Sequence, residues 1–264
     1  MFNKHPKGLI AAALANLGER FGFYTMMAIL VLFLQAKFGM NGKEAGFIYS
    51  TFYFSIYILA LVGGIIADKT RNYKGTIFTG IVLMAVGYLL LAIPSKTPVD
   101  NKMLYLVITC ASLFVIAFGN GLFKGNLQAL VGQMYDNPQY ANMRDSGFSL
   151  FYMFINIGAI FAPFAAVGVR NWWLSTFGYN YDADLPALCH GQLAGTLSPE
   201  ATETYHTLVT KASTAPVQDY TAFASDYLNV FTTGFHYAFG VAIIAMAISL
   251  TLSLIHISEP TRPI

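Results

Sequence analysis

Six stretches of this sequence are each long and apolar enough to cross a lipid bilayer. A hydrocarbon core about 30 Å thick needs about 20 mostly apolar residues per helix. Stretches of that kind run over 8–36, 45–67, 76–93, 103–133, 147–168 and 232–255. Charged residues make up only 11% of the chain, against roughly a quarter in a soluble domain. The aromatic share of 15% suits helices with Trp and Tyr at the membrane interfaces. The expectation is an all-α membrane protein embedded in the lipid bilayer. Lys and Arg are scattered in ones and twos, with no basic run for a nucleic acid to bind. Cys110 and Cys189 have no metal or redox spacing, so neither a metal nor another cofactor is expected.

The first five stretches are joined by short connections. The segment 169–231 differs: it carries Asp182, Asp184, Glu200, Glu203, Asp219 and Asp226 against Arg170 and Lys211, with several Pro, Ser and Thr. It reads as an extracytoplasmic loop with short helices near 199–212 and 218–228. Charge leaves the orientation open. With the N-terminus inside, Lys4, Lys7, Lys69, Arg71, Lys74 and Arg144 face Lys37, Lys43, Lys96, Lys102, Arg170 and Lys211 across the membrane. The end of the chain stands apart. Leu252 to Arg262 reads LSLIHISEPTR, which resembles the translation of a transposase-type sequencing adapter. We therefore expect 252–264 to be foreign, the sixth helix to run over 232–251, and the native continuation to be missing.

Ionisable groups inside a transmembrane helix are costly and usually face a cavity or a partner. On the first stretch Asn16, Arg20 and Tyr24 lie one turn apart along one stripe, with Glu19 on its flank. On the fourth, Asn120, Lys124 and Gln128 repeat every four residues. Tyr53 and Tyr57 are one turn apart on the second, and Tyr152 and Asn156 on the fifth. Glu19 and Arg20 read either as a fixed ion pair joining helices or as working groups. The tyrosines and Asn156 read singly as packing hydrogen bonds or as ligand contacts. Together, polar stripes on four helices around two cations and one acid suggest a water-filled cavity suited to a carboxylate-bearing solute.

These residues resemble the signatures of the proton-dependent oligopeptide transporter (POT/PTR) family of the major facilitator superfamily. Asn16-Leu-Gly-Glu19-Arg20-Phe21-Gly-Phe23-Tyr24 is similar to the family's ExxERFxYY. Gly63-Gly64-Ile-Ile-Ala67-Asp68-Lys69 resembles the superfamily's cytoplasmic gating loop. Gly119-Asn120-Gly121-Leu-Phe123-Lys124, with Gly132-Gln133 after it, resembles GxGxFKP…GxQ. Phe151-Tyr152-Met-Phe-Ile155-Asn156-Ile-Gly158 fits FYxxNxG at each constrained position, with Arg144-Asp145 ahead of it. Gly234-Phe235-His236-Tyr237 resembles the start of the sixth helix.

The resemblance implies the N-terminal six-helix bundle of a transporter whose C-terminal half is missing here. It implies a proton-coupled symporter importing di- and tripeptides by alternating access in the inner membrane, with a cytoplasmic N-terminus. Arg20 and Lys124 would receive the peptide carboxylate, Tyr24 and Tyr57 would line the pocket, and Asn156 would hydrogen-bond the peptide backbone. Glu19 and Arg20 would couple protons, the only coupling ion implied, and Asp68 would latch the cytoplasmic side. Three positions depart from the family: Asn16 replaces the first acid, Phe23 the first tyrosine and Gly125 the proline. The loss of the first acid is compatible with the alternative, a transporter of another small anionic solute such as nitrate or a modified amino acid. No HExxH, GxSxG or metal-spaced cluster suggests an enzyme.

Overall fold

The structure, a computed structural model, describes residues 4–256. Its helices are α1 (Lys7–Phe38), α2 (Gly42–Thr70), α3 (Tyr73–Ala92), α4 (Lys102–Met134), α5 (Arg144–Thr176), α6 (Leu185–Ala194), α7 (Pro199–Ala212) and α8 (Tyr220–His256). Six of them, α1 to α5 and α8, are long and apolar enough to cross a membrane. Of the terminal string 252–264, residues 257–264 lie outside the described residues.

The short connections into α2, α3 and α4 end in side-chain caps that satisfy the first backbone N–H groups of the next helix. Asn41 accepts from Lys43 N and Glu44 N, and Glu44 returns a carboxylate oxygen to Asn41 N, a reciprocal capping box. Asn72 opens α3 by accepting from Gly75 N, and Asn101 opens α4 by accepting from Leu104 N. Gly39 closes α1 in the left-handed conformation at φ +60°, which a side chain would strain.

Helix α1 is the buried axis, packed on α8, α5 and α4, while α4 is gripped between α2 and α3. With lipid as apolar as leucine, close backbone approach rather than water exclusion holds such helices together. Glycine permits it. A Cβ on Gly63 of α2 would lie 2.2 Å from Gly121 O of α4, and one on Gly80 of α3 would lie 2.6 Å from Gly119 O. Asn126 fastens the first contact by donating to Gly63 O at 3.1 Å.

The 169–231 segment differs from the expected loop. Helix α5 continues to Thr176, α6 was not anticipated, and the sixth span begins at Tyr220 rather than 232. Its first turns carry Ser225, Asp226 and Asn229, which lower the hydropathy. Phe223, Ala224, Tyr227, Leu228 and Phe231, however, form a buried stripe at helical spacing. The expected short helix at 199–212 is α7; the one at 218–228 is the start of α8. Helices α6 and α7 form a cap tied to the bundle. Asn180 N donates to Ala212 O at 2.7 Å, Tyr227 OH to Asn180 O at 3.0 Å and Tyr205 OH to Tyr220 O at 2.6 Å.

Candidate functional site

Midway along α1, Glu19 and Arg20 are both buried and paired with each other. Arg20 donates through Nη2 to Glu19 Oε1 at 2.6 Å and through Nε to Oε2. From α4, Asn120 Nδ2 donates to the same Oε1 at 2.7 Å. The Arg20 guanidinium also sits 4.7 Å from the centre of the Phe23 ring. A buried ion pair repays its desolvation only when its remaining lone pairs and protons are satisfied, and three N–H donors here converge on one carboxylate. Two polar atoms of the same region are buried without a hydrogen-bond partner among the described residues: Asn120 Oδ1 and the Tyr88 hydroxyl of α3.

One turn beyond Asn120, the environment changes. Lys124 is half-buried, its ammonium 5.5 Å from the centre of the Tyr57 ring. It has no carboxylate partner among the described residues. Tyr57 OH donates to Tyr53 OH at 3.1 Å, and Tyr53 stacks on Tyr49. Tyr53 and Tyr57 are 43% and 54% exposed, so this group lies on an open face of the bundle. An unpaired cation beside aromatic faces can attract an anion; the buried carboxylate behind it can hold a proton or an ion pair.

The structure thus brings Glu19, Arg20 and Asn120 together, and separately Lys124, Tyr57 and Tyr53. Tyr24 is half-buried, its ring edge-on to Phe23 at 5.4 Å. Asn156 and Tyr152 are exposed on α5, and no contact joins them to either group among the described residues. Asp68 stands at the end of α2, where its carboxylate accepts from Tyr73 OH at 2.6 Å across the α2–α3 turn. Sequence spacing placed Asn120 on the stripe of Lys124 but gave no sign that it meets Glu19, and nothing singled out Tyr88. Among the described residues no three His, Cys, Asp or Glu side chains form a metal cluster. Cys110 and Cys189 are free, and burial pushes the Cys189 thiol up to about 12.

Residues 74–255 match the POT family, also labelled PTR2. The peptide transporter YePEPT of Yersinia enterocolitica is 34% identical over 68% of this chain and 34% of its own length. Dipeptide and tripeptide permease A of Enterobacter is 34% identical over 67% of this chain and 32% of its own. A crystal structure of peptide transporter POT in complex with sulfate superposes with a TM-score of 0.61 at 27% identity, covering 95% of this chain and 37% of that one. The chain therefore spans about a third of the length of the curated relatives it matches.

Proposed function

Since the chain belongs to the POT family, as a multi-pass membrane protein carrying part of a transporter, we propose that the full-length protein is a proton-coupled symporter importing di- and tripeptides by alternating access. The single observation that carries the reading is Lys124. It is a cation within the apolar thickness of the bundle, without a carboxylate partner among the described residues, set over an exposed tyrosine. An unpaired cation in a membrane span is costly unless a cavity and an anion attend it, and the C-terminal carboxylate of a short peptide is such an anion. Arg20 would join it once Glu19 is protonated and no longer holds the guanidinium as a counter-ion.

In this proposal Tyr24, Tyr57 and Asn156 line the peptide path, Glu19 exchanges the coupling proton, and Asp68 gates the cytoplasmic side. The N-terminus is cytoplasmic and the membrane is the inner one. The remaining length of the full protein supplies the second wall of the cavity, so that two bundles rock about a midplane site. The test is uptake of labelled dialanine by the reconstituted full-length protein under an imposed inward proton gradient. Uptake should collapse without the gradient and in both Arg20→Ala and Lys124→Ala. Normal uptake in both variants would overturn the site assignment. No peptide uptake by folded protein would move the cargo to another small anionic solute, such as nitrate or a modified amino acid.

A further inference from the structure

Asn120 is presented to Glu19 with almost no slack in its backbone. The glycines on either side of it each touch a different neighbouring helix. A Cβ on Gly119 would lie 2.6 Å from Gly80 O of α3, and one on Gly121 would lie 2.5 Å from Leu59 C of α2. Helix α4 is therefore wedged at this level, and a rigid-body shift of it would break both contacts. What remains free is rotation of the Asn120 amide. Its two ends are nearly the same size, one a donor of two N–H groups and the other a carbonyl acceptor.

The groups facing Glu19 make that rotation consequential. From α1 comes Arg20, which can only donate; Tyr24, one turn along, lies close to that guanidinium. From α3 comes Tyr88, close enough to feel the charges of both Glu19 and Arg20. Helices α5 and α8 meet this stretch of α1 with Gly158, Ala242, Ala245, Met246 and Ser249, none of which titrates. While Glu19 is a carboxylate it needs donors, and it has three. Once it takes a proton it becomes a donor itself and needs an acceptor within reach. Asn120 is already at 2.7 Å, and its Oδ1 is buried with no partner among the described residues. A buried acceptor left unsatisfied is costly, so the structure holds in reserve the group that the protonated acid requires.

We propose that Asn120 is a positioning residue that holds Glu19 in both protonation states, donating through Nδ2 to the carboxylate and, with its amide turned over, accepting through Oδ1 from the carboxylic acid. This rests on the reading that Glu19 exchanges a proton. The step is balanced by one proton moving from cavity water to the Glu19 carboxylate and later returning to water, with no other bond made or broken. The residue acts on the proton and not on the cargo, so the proposal holds whichever anion is carried.

Infrared difference spectroscopy of the full-length protein, with the asparagine side-chain carbonyl isotopically labelled, reads this directly on acidification. A carboxylic-acid band that is absent in Glu19→Gln should appear in the native protein. With it, a labelled asparagine carbonyl band should move to lower wavenumber as Oδ1 gains a hydrogen bond. That movement should be lost in Asn120→Leu, while the acid band should stay near its native position in Asn120→Thr, whose hydroxyl both donates and accepts. An acid band with no accompanying asparagine shift overturns the role of Asn120 alone, as does an acid band that moves in Tyr88→Phe while the asparagine band stays still. Absence of any Glu19-dependent acid band overturns instead the reading that Glu19 exchanges a proton. Asn120→Thr should lose the asparagine shift as well, so it assigns the shift to Asn120 where Asn120→Leu folds poorly, and a shift that persists in Asn120→Thr overturns the assignment.

Discussion

Removing the Glu19 carboxylate leaves the Arg20 guanidinium buried with no anion, held only by Phe23 and by whatever its N–H groups can reach. Breaking a buried pair in this way is far more damaging than never having built it. Glu19→Gln should therefore destabilise the protein by about 3 kcal/mol, read as a lowered thermal unfolding midpoint in detergent. Lys124 is in the opposite situation. Its ammonium lies over the Tyr57 ring, a contact worth about 1 kcal/mol at a half-exposed site. Lys124→Ala should thus unfold near the native midpoint while peptide uptake is lost, and a midpoint that falls as far as in Glu19→Gln would make Lys124 a structural residue. In sequence both cations lie on polar stripes that repeat every four residues, though Arg20 alone has an acid, Glu19, beside it. Burial separates them.

Between elements, backbone contacts decide more than side-chain polarity does. Gly121 and Gly125 lie one turn apart on α4 and look alike in sequence. A Cβ on Gly121 would collide with the α2 backbone at Leu59, whereas one on Gly125 would meet nothing within 4 Å. Gly121→Ala should cost about 1–3 kcal/mol through overpacking. Gly125→Ala should be neutral or stabilise α4 by up to about 1 kcal/mol, despite the place it holds in the family motif; a chemical or thermal unfolding series on both variants checks the contrast. The spans themselves were legible because a bilayer sets their length. The early start of α8 was not, because its first turns alternate polar and buried residues that a hydropathy window averages away.

At the scale of the whole molecule, the α6–α7 cap is seated on the end of α1 by His190, whose Nε2 is 2.7 Å from Ala36 O and whose ring lies against Gly39. Burial holds the His190 imidazole below its ordinary 6.5, partly opposed by the Ala36 carbonyl. The unfolded chain then binds the proton more readily than the folded one. This contribution to stability is therefore present above about pH 6.5 and fades as pH falls through the folded value. Protection factors in α6, corrected for the slower intrinsic exchange at lower pH, should fall on acidification from neutral pH, and His190→Gln should remove that pH dependence; an unchanged profile in the variant would assign the sensitivity elsewhere. Helices α2 and α5 are the least buried spans, with Phe54, Leu61, Ile160 and Phe164 outward. Among the described residues Lys124 lies on an open face of the bundle, so if the proposed second wall is needed, vesicles containing this chain alone should show no peptide uptake above empty ones.

The sequence by itself determined that six segments are long and apolar enough to cross a membrane and which of them carry polar stripes, since span length and helical periodicity are local quantities. The family motifs were likewise readable as strings. Only the tertiary structure decided that Glu19 and Arg20 close on each other beneath Asn120, that Lys124 has no carboxylate partner among the described residues and lies over Tyr57, and that residues 177–219 build a cap. The physical reason is that lipid and protein interior are equally apolar. A transmembrane helix shows no amphipathic pattern to reveal which face meets its neighbour, and helix rotation is set instead by glycine contacts and buried hydrogen bonds between distant segments.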